Sequence, residues 1–163
     1  VNFFRHRPRL ATGLPALALL LAVSGCSSAD DTAHAAVPTP DAKVTDLCRN
    51  LHKRLPDTVD GHGRNDPSPR SELTAGWGDP AIILRCGVER PALMDDPQAL
   101  PVKVNGVGWA YEKRDDGTQV LTTTLRVAYV EVTLPKELAA EGASPLVDFA
   151  DPVKKAIPEG IAD

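Results

Sequence analysis

Hydrophobic positions along this chain recur with two different periods. Between residues 43 and 55, Val44, Leu47, Cys48, Leu51 and Leu55 fall at helical spacing, with Lys43, Arg49, Asn50, Lys53 and Arg54 opposite. Asp41 or Thr45 is placed to cap that helix, and Pro56 to end it. From 81 to 88 the period shortens to two. Ile82, Leu84, Cys86 and Val88 share one face, and Ile83 and Arg85 the other, after a Trp77-Gly78-Asp79-Pro80 turn. The strongest hairpin signal is Asn105-Gly106, which supplies both positive-φ positions of a type I′ turn between apolar arms at 102–104 and 107–109. Trp109-Ala110-Tyr111 runs on from it, and Asp115-Asp116-Gly117 makes the next reversal. A Thr-rich strand follows at 120–125. Then Ala128, Val130, Val132 and Leu134 alternate with Tyr129, Glu131 and Thr133 until Pro135.

Ser144-Pro145 and Asp151-Pro152 each have the order of a helix start, cap then proline. Proline inside a longer helix is costly, so a short final helix over 151–157 is predicted, closed by Pro158. The elements together predict one α+β domain over residues 43–158. It is a mostly antiparallel β-meander sheet with an N-terminal helix packed on one face and a short C-terminal helix, and residues 159–163 are expected to fray. Residues 57–73, with Gly61, Gly63, Pro67 and Pro69, read as a long surface loop. Gly61-His62-Gly63 lacks the preceding strand and following helix of a phosphate cradle. The acidic pairs Asp95-Asp96 and Asp115-Asp116 sit in turns and read as solvated turn formers.

The amino terminus changes the picture. Arg5, Arg7 and Arg9 precede an almost wholly apolar run from 14 to 23, too short for a membrane span of about 20 residues but suited to the core of a signal peptide. Val23-Ser24-Gly25-Cys26 follows, with small residues before a cysteine whose thiol can accept a diacylglyceryl group; the segment resembles a bacterial lipoprotein box. Residues 1–25 are therefore expected to be removed and Cys26 lipidated. Val1 reads as a non-AUG start codon translated literally. Residues 26–42, rich in Ser, Ala, Asp, Thr and Pro, read as a disordered tether in which His34 is merely solvated. Loss of 1–25 takes three arginines and no acid from 18 basic and 22 acidic side chains, leaving a net charge of −7. That balance argues against nucleic acid as a partner, and against electrostatic docking on anionic lipid. Membrane attachment falls to the N-terminal lipid, on the outer face of the cytoplasmic membrane.

With Cys26 assigned to lipid, Cys48 and Cys86 remain as a pair in an oxidising compartment, and a disulfide is expected between them. The competing reading is a zinc site of Cys48, His52, His62 and Cys86. The ligand types suit zinc, but the intervals match no zinc-ribbon spacing. No metal or cofactor is expected.

The sheet face opposite Cys86 is expected to carry Ile83, Arg85, Trp109, Tyr111, Tyr129, Glu131 and Arg126. Aromatics and arginine on an open face make a binding platform. They also suit an ordinary covered face, should the 57–73 loop fold across it. Trp77, Arg85, Trp109 and Arg126 are the candidate binding residues.

Several of these motifs carry a family likeness. Trp77-Gly78-Asp79-Pro80 running into Leu84-Arg85-Cys86-Gly87, then Val104-Asn105-Gly106-Val107 with Trp109, then Thr124 and Arg126 before a strand closed by Pro135, occur in order, with Cys48 upstream. Over about residues 43 to 158 the chain resembles the envelope lipoproteins of high-GC Gram-positive bacteria grouped as domain of unknown function 3515. The resemblance implies an exported, membrane-anchored domain and carries over no activity. A non-enzymatic envelope binding or assembly module, with an envelope protein as its partner, is the leading expectation. The rival is an envelope hydrolase or transferase with a site near Trp77, Arg85 and Trp109. A thiol redox protein lacks its Cys-x-x-Cys.

Overall fold

The computed structural model describes residues 32–162, apart from 80, 100, 140 and 141. The signal segment, Cys26 and the start of the tether lie outside the described residues. Helix α1 (Ala42–His52) opens the body, capped by Asp41, whose carboxylate accepts from the Val44 N–H at 2.9 Å. Two short strands, β1 (Thr58–Val59) and β2 (His62–Gly63), form a small hairpin. The main sheet comprises β3 (Thr74–Trp77), β4 (Ile82–Val88), β5 (Pro101–Val104), β6 (Val107–Lys113), β7 (Gln119–Thr124) and β8 (Tyr129–Leu134). Helix α2 (Ser144–Ala156) completes the chain of elements. The spatial order is β3-β4-β8-β7-β6-β5, with every neighbouring pair antiparallel. A 3-10 turn, Ala92–Asp95, lies in the crossing from β4 to the far edge, and the chain meanders back from β5 to β8. The α+β class, the antiparallel meander and a helix at each end of it are as the sequence predicts.

Both helices lie on one face of this sheet. Ala75, Trp77, Ile82, Leu84, Cys86, Val107, Trp109, Leu121, Val130, Val132 and Leu134 form its buried floor. Cys48 and Leu51 of α1 and Leu146, Phe149, Ala150 and Val153 of α2 close over them. Cys48 and Cys86 are joined in a disulfide with their Cα atoms 5.5 Å apart, tying α1 to β4.

Four sequence expectations are corrected here. The final helix is one element of 13 residues with Pro152 inside it, not a short helix from Asp151. An interior proline costs about 3 kcal/mol, but Leu146, Phe149 and Val153 are each fully buried, and burial of such side chains returns about 1.5–3 kcal/mol apiece. The carbonyl that Pro152 leaves without its N–H belongs to Asp148, an exposed residue. Second, Val88 leaves the face of Ile82, Leu84 and Cys86. A bulge between Cys86 and Val88 shifts the register around Gly87, whose φ is +85°.

Third, the tether assignment reaches too far. Residues 33–36 lie along the body, with the Ala35 N–H donating to the Ser68 carbonyl at 3.1 Å and the Ser68 N–H to that of Ala33 at 2.8 Å. Pro40 sits so close over Gly87 that a Cβ there would come within 2.6 Å of its Cγ. Fourth, Glu159 and Gly160 are held rather than frayed: the Gly160 N–H donates to the Leu125 carbonyl at 3.1 Å, and Glu159 bridges to Arg126.

The disulfide closes a separation of 38 residues, for which chain entropy assigns about 4 kcal/mol. Reduction with a thiol, or Cys48→Ala with Cys86→Ala, is therefore expected to lower the unfolding free energy by that amount, read as a lower midpoint in urea titration. An unchanged midpoint would contradict it.

Candidate functional site

The sheet face turned away from the helices is partly covered. Asn65 and Pro67 lie over Gly76, next to Ile83, closing the β3–β4 corner. The rest is a cleft of about 780 Å³. Its floor is Arg85, Glu131, Thr122 and Tyr129; one wall is the arm at residues 37–41, another is Glu89, Arg90 and Pro91, and Glu112 and Arg114 lie at the β6 side. Strand register explains this set. Arg85 pairs with Glu131 across β4 and β8, and Thr122 with Glu131 across β7 and β8, so the three side chains share one face.

Arg85 donates through Nε to Glu131 Oε1 at 2.9 Å, with Nη2 at the same distance. Its Nη1 reaches the Ala36 carbonyl at 3.4 Å, linking the floor to the arm. Arg90 is held by Asp95 Oδ1 at 2.6 Å and the Met94 carbonyl at 3.0 Å. That hydrogen bond to Asp95 raises its pKa above the ordinary arginine value. Three arginines and four carboxylates, counting Asp41, line the cleft. It presents paired charges of both signs, hydroxyls from Thr122 and Tyr129, and prolines on the walls.

Of the four candidate binding residues, only Arg85 lies in this cleft. Trp77 is fully buried on the helix side, where Nε1 donates to the Pro56 carbonyl at 3.0 Å. Its ring packs 5.0 Å from that of Phe149, with the Arg64 guanidinium 4.8 Å above it. Trp109 is also fully buried on the helix side, and Tyr111 shares its face, so the expected open-face grouping is corrected for both. The type I′ turn pairs Val102 with Trp109 and Lys103 with Gly108, so Trp109 follows the valines inward. Arg126, 4% exposed, donates through Nη1 to the Ile157 carbonyl at 2.9 Å and lies 3.6 Å from Glu159. It clamps the C-terminal segment. Ile83, Tyr129 and Glu131 do lie opposite Cys86.

The residues weighed for zinc are dispersed into other roles. Cys48 and Cys86 are bonded to each other. His62 packs at Gly78, and His52 Nε2 lies 3.5 Å from Arg64 Nη2 while its Nδ1 is buried without a partner. The β1–β2 hairpin was missed in the sequence. Its signal was Asp60-Gly61, both at positive φ, and it docks on α2 through Asp148 and Ser144.

The fold and cleft define a helix-backed antiparallel sheet whose other face carries a polar groove. The chain belongs to the family described as protein of unknown function (DUF3515), whose sequence model matches residues 10–162. No curated protein and no solved structure matches it.

Burial and then the neighbouring Arg64 cation lower the His52 pKa below 6.5, outweighing Asp66 and Glu72. The unfolded chain therefore takes up this proton at higher pH than the folded one, so stability present above pH 6.5 is lost as pH falls toward the depressed value. Thermal melts between pH 8 and 5 are expected to show this decline, and His52→Gln to flatten it. An identical decline in the variant would assign it to other groups.

Proposed function

We infer that this protein is an exported, lipid-anchored binding module of the cell envelope that holds a protein partner in the cleft on the bare face of its sheet. The observation that carries the reading is the Arg85–Glu131 pair on the cleft floor, fastened to the arm through Ala36. A fixed pair of opposite charges beneath a polar groove supports recognition of a charged partner, with specificity set by register and charge sign. The signal-peptide pattern ending at Cys26 supports export and acylation, and a disulfide that ties the domain together suits an oxidising compartment. The arm that walls the cleft also leads toward Cys26. Thr32 lies six positions after Cys26, and six residues span at most about 20 Å. A partner in the cleft would accordingly meet the domain close to the membrane surface.

The test combines anchor and cleft. A photo-crosslinking residue at Glu112, in the cleft, is compared in living cells with one at Asp148, exposed on α2. A discrete protein adduct is expected from position 112 and not 148, on a membrane-bound protein whose N-terminal peptide carries the lipid mass on Cys26. Cys26→Ser is expected to leave the membrane fraction. Equal labelling from both positions would reject the cleft, and a Cys26→Ser protein still wholly in the membrane would reject the anchor.

A further inference from the structure

Beside the charged cleft lies a second pocket of about 370 Å³, reached over Arg90 and Tyr129, which line both. Its character is different. Met94, Ala110, Leu125 and Ile161 give it an apolar lining, and two of these are the most exposed large hydrophobic side chains among the described residues, Leu125 at 73% and Ile161 at 78%. Leu125 is also one of three non-glycine residues described with positive φ, at +53°. A leucine in that conformation is strained, and its exposure yields no burial in return. The surroundings fix it there. The Leu125 carbonyl accepts from the Gly160 N–H, the Val127 N–H donates to the Pro158 carbonyl, and Arg126 holds the Ile157 carbonyl and Glu159 from inside. These bonds secure the Leu125 turn to the C-terminal segment beside the pocket.

We propose that this pocket is an anchor subsite that takes one large apolar side chain of a partner polypeptide, whose neighbouring charged residues of both signs lie in the cleft. The inference rests on the cleft reading above and names what the cleft's ligand must carry. Charge decides the class of ligand. An anionic amphiphile would place its head group in a cleft of three arginines and four carboxylates, Asp41, Glu89, Glu112 and Glu131, whose net charge is negative. A polypeptide segment with mixed charges complements the arginines and the carboxylates together. An aliphatic or aromatic residue one or two positions along would enter the pocket as its central, desolvated contact. Arg126 acts here as a positioning residue: it holds the turn that presents Leu125 and touches no ligand.

The probe is a random dodecapeptide phage library selected on the full chain in detergent, with anionic phosphatidylglycerol vesicles as a second arm. Selected peptides are expected to share one large apolar residue flanked by acidic and basic ones. Leu125→Asn is the informative variant, because asparagine suits positive φ better than leucine and is expected to hold or raise the melting temperature. It is expected to weaken the selected peptides at least tenfold, and Arg85→Glu to do the same. Peptides weakened by Arg85→Glu but indifferent to Leu125→Asn would overturn the anchor subsite while keeping the cleft. Peptides indifferent to both, or none selected, would overturn both readings. Vesicle binding that Leu125→Asn abolishes would replace the peptide with a lipid surface.

Discussion

A six-stranded sheet has two faces to remove from water, and helices of 11 and 13 residues are placed to cover only one of them. Burial of apolar area is the dominant favourable term in folding, so the covered face collects nearly all the large apolar side chains, including both tryptophans. The other face must then be polar or covered by loops, and it is both. Asn65 and Pro67 close one corner, and ion pairs and hydroxyls line the cleft beside it. The cleft is thus a consequence of how the core is built.

The arm and α1 meet the same strand from its two sides. Cys86 points into the core and bonds Cys48 on α1; one residue on, Gly87 brings the backbone against Pro40 of the arm. Only glycine fits there, since φ is positive and a Cβ would collide with the proline ring. The chain therefore passes from cleft wall to core helix across the end of β4, and Asp41 caps α1 at that crossing. Disulfide, glycine and cap together fix where the arm lies, and so the shape of the cleft.

Much of this was legible in the sequence where a strand's own polarity names its faces. Ile82, Leu84 and Cys86 against Ile83 and Arg85 leave no doubt about which side is buried. Strand β6 was harder, because Val107, Trp109 and Tyr111 alternate with Gly108, Ala110 and Glu112, and polarity alone separates them poorly. Side-chain volume and the hairpin register carried the answer: Lys103 between two valines points outward, and the Asn105-Gly106 turn places Trp109 with the valines. Local sequence divides the final helix at Pro152, because it shows the cost of the proline and not the burial of Phe149 and Val153 that offsets it. Arg126 as a clamp had no local signature, since its partners Ile157 and Glu159 lie some 30 residues on.

Both tryptophans lie sealed beneath the helices while the charged groups line the opposite face. Trp77 and Trp109 are the two tryptophans of the chain, so their fluorescence reports on this directly. Iodide and acrylamide quenching of the folded protein is expected to be weak, with emission at short wavelength, and to rise to the level of free indole only on denaturation. Strong iodide quenching in the folded state, retained in Trp77→Phe, would place Trp109 on the open face and contradict the arrangement.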